Sequence, residues 1–281
     1  MILVADSGSS KCDWAFFDDE YNQLKIVETI GLNPYFLSTE KILKELHKST
    51  DLCKISTSIT SVFFYGAGCS ENSLKKILNK ALSKFFNSSK VYVEHDLLGA
   101  CRSISDKEVS INCILGTGSI SCIYDQKKIK LPFPSLGYIL GDEGSGNYFG
   151  KKILHLYFTN QLTKTLKDDF KKEYNVSHED LMKKVYNNER SNYFLASFFP
   201  FLIKHQNNPI ILDVLKEGVS SFLKTHVFVI PDFQSYKINF FGSVSFFLKD
   251  LIVQELKQKK CMIGHFQKKI ILGLFDYHDK K

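Results

Sequence analysis

The chain has 281 residues, long enough for two lobes of ordinary domain size. With 44% hydrophobic and 24% charged residues it lies well outside the disordered regime and should bury a sizeable core. Its 37 Lys and Arg exceed its 30 Asp and Glu but are dispersed, so no focused basic patch argues for nucleic acid, and Lys257, Lys259, Lys260, Lys268 and Lys269 read as a solvated helix face.

In chain order, residues 2–6 and 13–18 read as short apolar strands separated by a small-residue turn, and 24–31 continues the meander. A helix is expected at about 39–48, with Ser38 or Thr39 as N-cap, then a strand at 59–65 ending in Gly66-Ala67-Gly68. Next come a helix at 71–85, a strand at 90–94 and a helix from His95-Asp96 to about 105. This βββαβαβα order then restarts: 110–115 and 119–124 are again apolar segments split by a glycine turn, with a third candidate strand at 128–132. Helices are expected at 146–159, 178–187, 191–206 and 209–226, then a strand at 236–241, a helix at 244–259, a strand near 262–267 and a closing helix. A recurrence after about 110 residues implies two similarly folded lobes joined near residue 108.

Seven scattered cysteines with no C-x-x-C pair or Cys/His ligand spacing fit reduced thiols. The sequence opens directly on strand-like Ile2-Leu3-Val4-Ala5. Its longest apolar run, Phe194 to Ile203, contains Pro200 and falls short of the roughly 18 residues a membrane span needs. A cytoplasmic location with no membrane partner is the expectation.

Several short segments carry candidate chemistry. In Asp6-Ser7-Gly8-Ser9-Ser10-Lys11, Gly8 permits close backbone approach, consecutive N–H groups and hydroxyls can cradle a phosphate, and Asp6 can hold Mg²⁺ through water. An ordinary hairpin turn explains the same residues equally well. Gly116-Thr117-Gly118-Ser119 repeats the pattern at the start of the second lobe, and two such turns could hold one polyphosphate. A Walker loop is missing, and Gly116-Thr117-Gly118 lacks the strand-to-helix setting of a dinucleotide fingerprint. Gly141-Asp142-Glu143-Gly144-Ser145-Gly146 places two carboxylates beside flexible backbone, suited to sugar hydroxyls, metal-bound water or simply a helix N-terminus. Asp96, at the end of an apolar strand, can serve as N-cap or as general base, with His95 beside it read as structural. Phe240-Phe241-Gly242-Ser243 ends another strand with a step where adenosine could lie. The phenylalanines at 194, 198, 199 and 201 read as helix packing.

In this order the segments resemble the N-acetylglucosamine kinase branch of the actin- and hexokinase-like ATPases, which is related to the acyl-CoA dehydratase activators. The resemblance runs through LVADSGSSKCDW at 3–14, ILGTGSIS at 114–121, LGYILGDEGSG at 136–146 and FFGSVSFF at 240–247. It implies an α/β fold of two RNase H-like lobes, residues 1–108 and 109–281, with a nucleotide cleft between them, a helical insertion in the second and the last helix packing back on the first. It further implies ATP and Mg²⁺ as cofactors. Gly8, Ser9, Ser10, Lys11, Gly116 and Thr117 would lie at the phosphates, Gly242 and Ser243 at the adenosine, and Asp6 at Mg²⁺ through water. Asn33, Ser119, Gly137 and Asp142 would hold an amino sugar, and Asp96 would be the catalytic base. The implied activity is phosphorylation of a primary hydroxyl of N-acetylglucosamine or a relative, with a homodimer left open. Alternatives are an ATPase activator carrying an iron–sulfur cluster, or a non-catalytic sugar or nucleotide sensor. Serines at 7, 9 and 10 replace the family's usual glycines and threonine. Ile120 stands where an asparagine usually hydrogen-bonds the sugar, a contact worth roughly 0.5–1.5 kcal/mol, which leaves the sugar open.

Overall fold

In the computed structural model, which describes residues 1–8, 10–18, 22–104, 108–187 and 190–279, β1 (Ile2–Ser7) is buried from Leu3 to Ala5, as a central strand covered on both faces must be. It turns into β2 (Lys11–Asp18), and β3 (Gln23–Ile30) completes an antiparallel meander. α1 (Thr39–His47) and α2 (Thr50–Ile55) lead to β4 (Ser61–Gly66), and α3 (Asn72–Phe85) leads to β5 (Lys90–His95). α4 (Asp96–Arg102) follows at once. β4 pairs parallel to β1 and β5 parallel to β4, giving the order β3-β2-β1-β4-β5. One face of this sheet builds a core around Trp14, whose ring centroid lies 5.8 Å from Phe64 and 6.2 Å from Phe86. The indole N–H is satisfied by Thr29 Oγ1 at 2.9 Å, as a buried Trp requires.

The second half begins with β6 (Ser110–Leu115), β7 (Ser119–Tyr124) and the short β8 (Ile129–Lys130). A helical block follows: α5 (Gly137–Leu140), α6 (Gly146–Phe158), α7 (Lys164–Tyr174), α8 (His178–Tyr186), α9 (Ser191–Ala196), α10 (Phe199–Lys204) and α11 (Pro209–Phe222). A π-helical turn over Leu223–Val227 extends α11, and a 3₁₀ turn covers Phe233–Ser235. β9 (Lys237–Phe241), α12 (Ser243–Phe247), α13 (Lys249–Gln258), β10 (Met262–Gln267) and α14 (Ile271–Asp279) complete the chain.

The second sheet has the order β8-β7-β6-β9-β10, with β6 antiparallel to β7 and parallel to β9, and β9 parallel to β10. Strand for strand this repeats β3-β2-β1-β4-β5. The fold is thus α/β with two RNase H-like units. One comprises Met1–Lys107, Lys127–Ile129 and Lys269–Lys281, and the other Glu108–Gln126 and Lys130–Lys268. α14 therefore belongs to the first unit, where it packs on β1, β2 and α4.

Departures from the expected elements have local causes. The helix expected over 191–206 is two helices, because Pro200 has no N–H to donate and its ring clashes with the carbonyl four residues back; it sits instead in the first turn of α10. The helix expected over 244–259 breaks at Leu248, and the strand expected over 128–132 is two residues long. α2, α5 and α7 were not expected. α7 buries only Leu166 and Phe170 among eight charged or polar residues, too narrow a stripe to read as periodicity, and Thr163 caps it by accepting from Leu166 N–H. The phenylalanines of α9 and α10 pack in the core of the second unit, with Phe198 stacked 5.6 Å from Phe170.

Candidate functional site

In the first unit the carboxyl ends of β1, β4 and β5 bring together segments that are far apart in sequence. Ser7 ties them. Its Oγ accepts from Leu32 N–H at 2.9 Å, and its carbonyl accepts from Ala67 N–H at 2.8 Å. Asn33 is buried, its Oδ1 accepting from Tyr35 N–H at 3.0 Å. Gly68, at φ +81°, lies so close that a Cβ there would collide with that oxygen. Asn33 and Gly66-Ala67-Gly68 thus border the same strand end as Asp6, the position where α/β sheets place ligands.

Asp6 stands directly opposite Asp13 in the β1–β2 register, a like-charge pairing that destabilises a sheet. Asp13 is compensated: Lys11 Nζ lies 3.2 Å from both its oxygens and Lys269 Nζ 3.5 Å from one. Lys11 also reaches Glu28 at 3.1 Å. Among the described residues Asp6 makes no ion pair of this kind. Burial, then the charges of Asp96 and Asp13, push its pKa up to about 7, against the opposing pull of Lys11 and Lys269. A divalent cation beside Asp6 would relieve all three causes, so the residues fit Mg²⁺. Among the described residues no three His, Cys, Asp or Glu side chains form a complete metal cage; Mg²⁺ on a polyphosphate needs only one or two carboxylates and keeps several waters.

Asp13 and Lys269 were not expected here. A carboxylate inside the buried run Cys12-Asp13-Trp14-Ala15 was the available signal for the first. Lys269, read as part of a solvated face, is corrected to a site-side ion pair; nothing near it in sequence announces a partner more than 250 residues away.

Asp96 begins α4, and the N-cap is His95. Asp96 Oδ1 accepts from Leu97 N–H at 2.8 Å and lies 2.7 Å from His95 Nδ1. Leu97 N–H also lies 3.1 Å from that nitrogen, and one Nδ1 cannot both accept from Leu97 and donate to Asp96. Burial lowers the His95 pKa, but the charge and hydrogen bond of Asp96 outweigh it and raise the pKa overall. Nδ1 therefore carries a proton and donates to Asp96, and the Leu97 N–H belongs to Oδ1. Both contacts fall on Oδ1, so Oδ2 is the oxygen available to take a proton.

The turn glycines are informative because neither is needed by the backbone or by packing. A Cβ on Gly8 would meet only Lys11 O, at 3.8 Å, and one on Gly116 would meet nothing within 4 Å. Neither glycine has positive φ. A side chain at either position would enter open space, the room that close approach of a phosphate to a glycine turn would need. Ser10 lies on the first turn, and Ser9 falls outside the described residues.

In the second unit, the N-terminus of α6 holds the 116–119 turn. Gly146 N–H donates to Gly116 O at 2.8 Å, and Asn147 donates to Thr117 O from its backbone at 3.0 Å and its side chain at 2.7 Å. Asp142, itself in the left-handed region at φ +61°, accepts from Ser119 N–H at 3.1 Å and from Asn147 Nδ2 at 2.7 Å. Ser119 Oγ donates to Glu143 O at 2.7 Å. Burial raises the Asp142 pKa against these hydrogen bonds. Ser119 and Asp142, expected at the sugar, brace the turn. Gly242, at φ +99°, closes on the same turn, since a Cβ would collide with Leu115 O; Ser243 follows it as the first residue of α12. Gly137, at φ +68°, opens α5.

The two units differ where the chemistry would. Two residues before the turn glycine the first unit has Asp6, paired with Asp13; the second has Ile114, paired with Ile120. Sequence reading also missed His226, on the π-helical turn, whose Nε2 lies 3.3 Å from Glu143 Oε2.

Among the described residues, no helix is long and apolar enough to cross a membrane. No protein-family model and no curated protein matches the chain. Among solved structures, it is 33% identical to a candidate N-acetylglucosamine kinase from Porphyromonas gingivalis, covering 100% of this chain and 99% of that one with a TM-score of 0.90. A candidate N-acetylglucosamine kinase from Chromobacterium violaceum is similar in fold at 15% identity, with 98% of each chain covered and a TM-score of 0.70. A ROK-family glucokinase from Streptomyces griseus, solved with glucose and AMPPNP, covers 99% of this chain and 100% of that one at 14% identity and a TM-score of 0.54. By its identity across the full length of the first of these, the chain belongs to the N-acetylglucosamine kinase-like family of the actin- and hexokinase-like ATPases.

Proposed function

We propose that this protein is a sugar kinase that transfers the γ-phosphoryl group of ATP to a primary hydroxyl of an amino sugar, N-acetylglucosamine or a relative. The observation that carries the reading is the pair of turn glycines whose missing side chains serve neither backbone nor packing, in a chain 33% identical over its whole length to a candidate N-acetylglucosamine kinase. Phosphoryl transfer asks a protein mainly for positioning and charge stabilisation. Asp96 Oδ2 takes the proton of the attacking hydroxyl, with Oδ1 held by Leu97 N–H and His95 so that the free oxygen keeps one direction. Asp6 would hold Mg²⁺ through water, and that ion would supply charge neutralisation at the phosphates. Gly8, Ser9, Ser10, Lys11, Gly116 and Thr117 serve the phosphates, and Gly242 and Ser243 the adenosine. Asn33, Ser119, Gly137 and Asp142 serve the sugar. The test is a coupled assay with ATP and Mg²⁺ against N-acetylglucosamine, N-acetylmuramic acid, N-acetylmannosamine, glucosamine and glucose; phosphorylation of none of them defeats the proposal.

A further inference from the structure

His226 is buried to 4% exposure, and four contacts fix it. Phe222 stacks on the ring at 4.7 Å and 16°, and Phe133 leans against it at 5.0 Å. Ser121 Oγ donates to its carbonyl at 2.7 Å, and Nε2 faces Glu143 Oε2 at 3.3 Å. A carboxylate only accepts, so Nε2 carries the proton. Burial lowers the imidazole pKa against the pull of Glu143, which favours the neutral ring, and in that ring Nδ1 is an acceptor. That nitrogen is buried and finds no hydrogen-bond partner among the described residues, an expensive arrangement for a rigid side chain. His226 lines a pocket together with the apolar Ile120, Pro132, Phe133 and Leu136 and with polar residues that include Ser119, Asp142 and Glu143. It also sits on a π-helical turn, a distortion that recurs at functional sites.

An unpartnered acceptor beside the apolar Ile120, Pro132, Phe133 and Leu136 matches the chemistry of a secondary amide, whose N–H donates and whose methyl packs. We propose that His226 is a specificity-determining residue whose Nδ1 accepts the N–H of the substrate's acylamino group, oriented by the Nε2 bond to Glu143. The inference rests on the sugar-kinase reading and deepens it. Ile120, where a polar sugar contact is absent, becomes part of the apolar wall that receives the acyl methyl.

The test compares N-acetylglucosamine with 2-deoxyglucose, which has no donor at that carbon. In His226→Phe, kcat/KM for N-acetylglucosamine should fall about tenfold through KM, with kcat and the kcat/KM for 2-deoxyglucose within about twofold. An equal loss on both sugars, or none on either, overturns the proposal. Independently of turnover, the Nδ1 resonance of ¹⁵N-histidine-labelled wild type, assigned with His226→Gln, should shift on saturation with N-acetylglucosamine and stay in place with 2-deoxyglucose. A shift without phosphorylation supports the inference while defeating the kinase reading. No shift, or no sugar binding at all, overturns it.

Discussion

Replacing Asp6 by Asn removes a buried negative charge from beside Asp13 and Asp96 while keeping the side chain's size. With a folded pKa of about 7 against 3.8, Asp6 in the native state keeps a proton that the unfolded chain releases. Native stability therefore falls as pH rises from about 4 to about 7 and is flat above that. About three pH units at 1.36 kcal/mol each set a ceiling of about 4 kcal/mol. Asp6 is only partly buried as a residue, so water relaxes part of the penalty, and we expect Asp6→Asn to stabilise the Mg²⁺-free protein by about 2 kcal/mol at pH 8. At pH 5 only about a third of that gain should remain. The chain's single tryptophan, Trp14, lies in the core of the first unit, so its fluorescence during urea unfolding reports the unit in question. Mg²⁺ with ATP should narrow the gap by stabilising the wild type more than the variant. A variant no more stable than wild type at pH 8, or an equal gap at both pH values, would refute the reasoning.

Asp96→Asn should lower kcat by about 10²–10⁴ while leaving the sugar's Kd, measured calorimetrically, within about threefold; a comparable fall in affinity would make Asp96 a binding residue alone. Gly242→Ala puts a Cβ into Leu115 O at a positive φ, and we expect a loss of about 2–3 kcal/mol in chemical denaturation of the second unit. Wild-type stability would show that the turn shifts freely. Asp142→Ala strands the Ser119 N–H, so about 1–3 kcal/mol should be lost, with faster amide exchange at Ser119 and Gly118. Exchange rates unchanged by the substitution would place the bracing elsewhere.

The alternation of apolar and polar residues, the glycine turns and the caps are local properties, and they determined the βββαβαβα order, its recurrence and the resemblance from which two RNase H-like units followed. What local pattern could not carry was α7, whose buried stripe is two residues wide, and the break at Leu248. The turns Asp6–Lys11 and Gly116–Ser119, the 141–146 segment and Asp96 at a strand end were equally legible, since each is a short run of unusual composition. Only the tertiary structure decided what these runs touch. It set Asp6 against Asp13 through strand register, brought Lys269 to Asp13 across the chain, and gave one oxygen of Asp142 to Ser119 N–H of the turn and the other to Asn147 of α6. It also left His226 Nδ1 buried without a donor among the described residues. Register, burial and long-range ion pairing depend on which elements pack together, so the order of segments and their chemistry were in the sequence, while the like-charge surroundings of Asp6 and the burial of His226 against Glu143 were not.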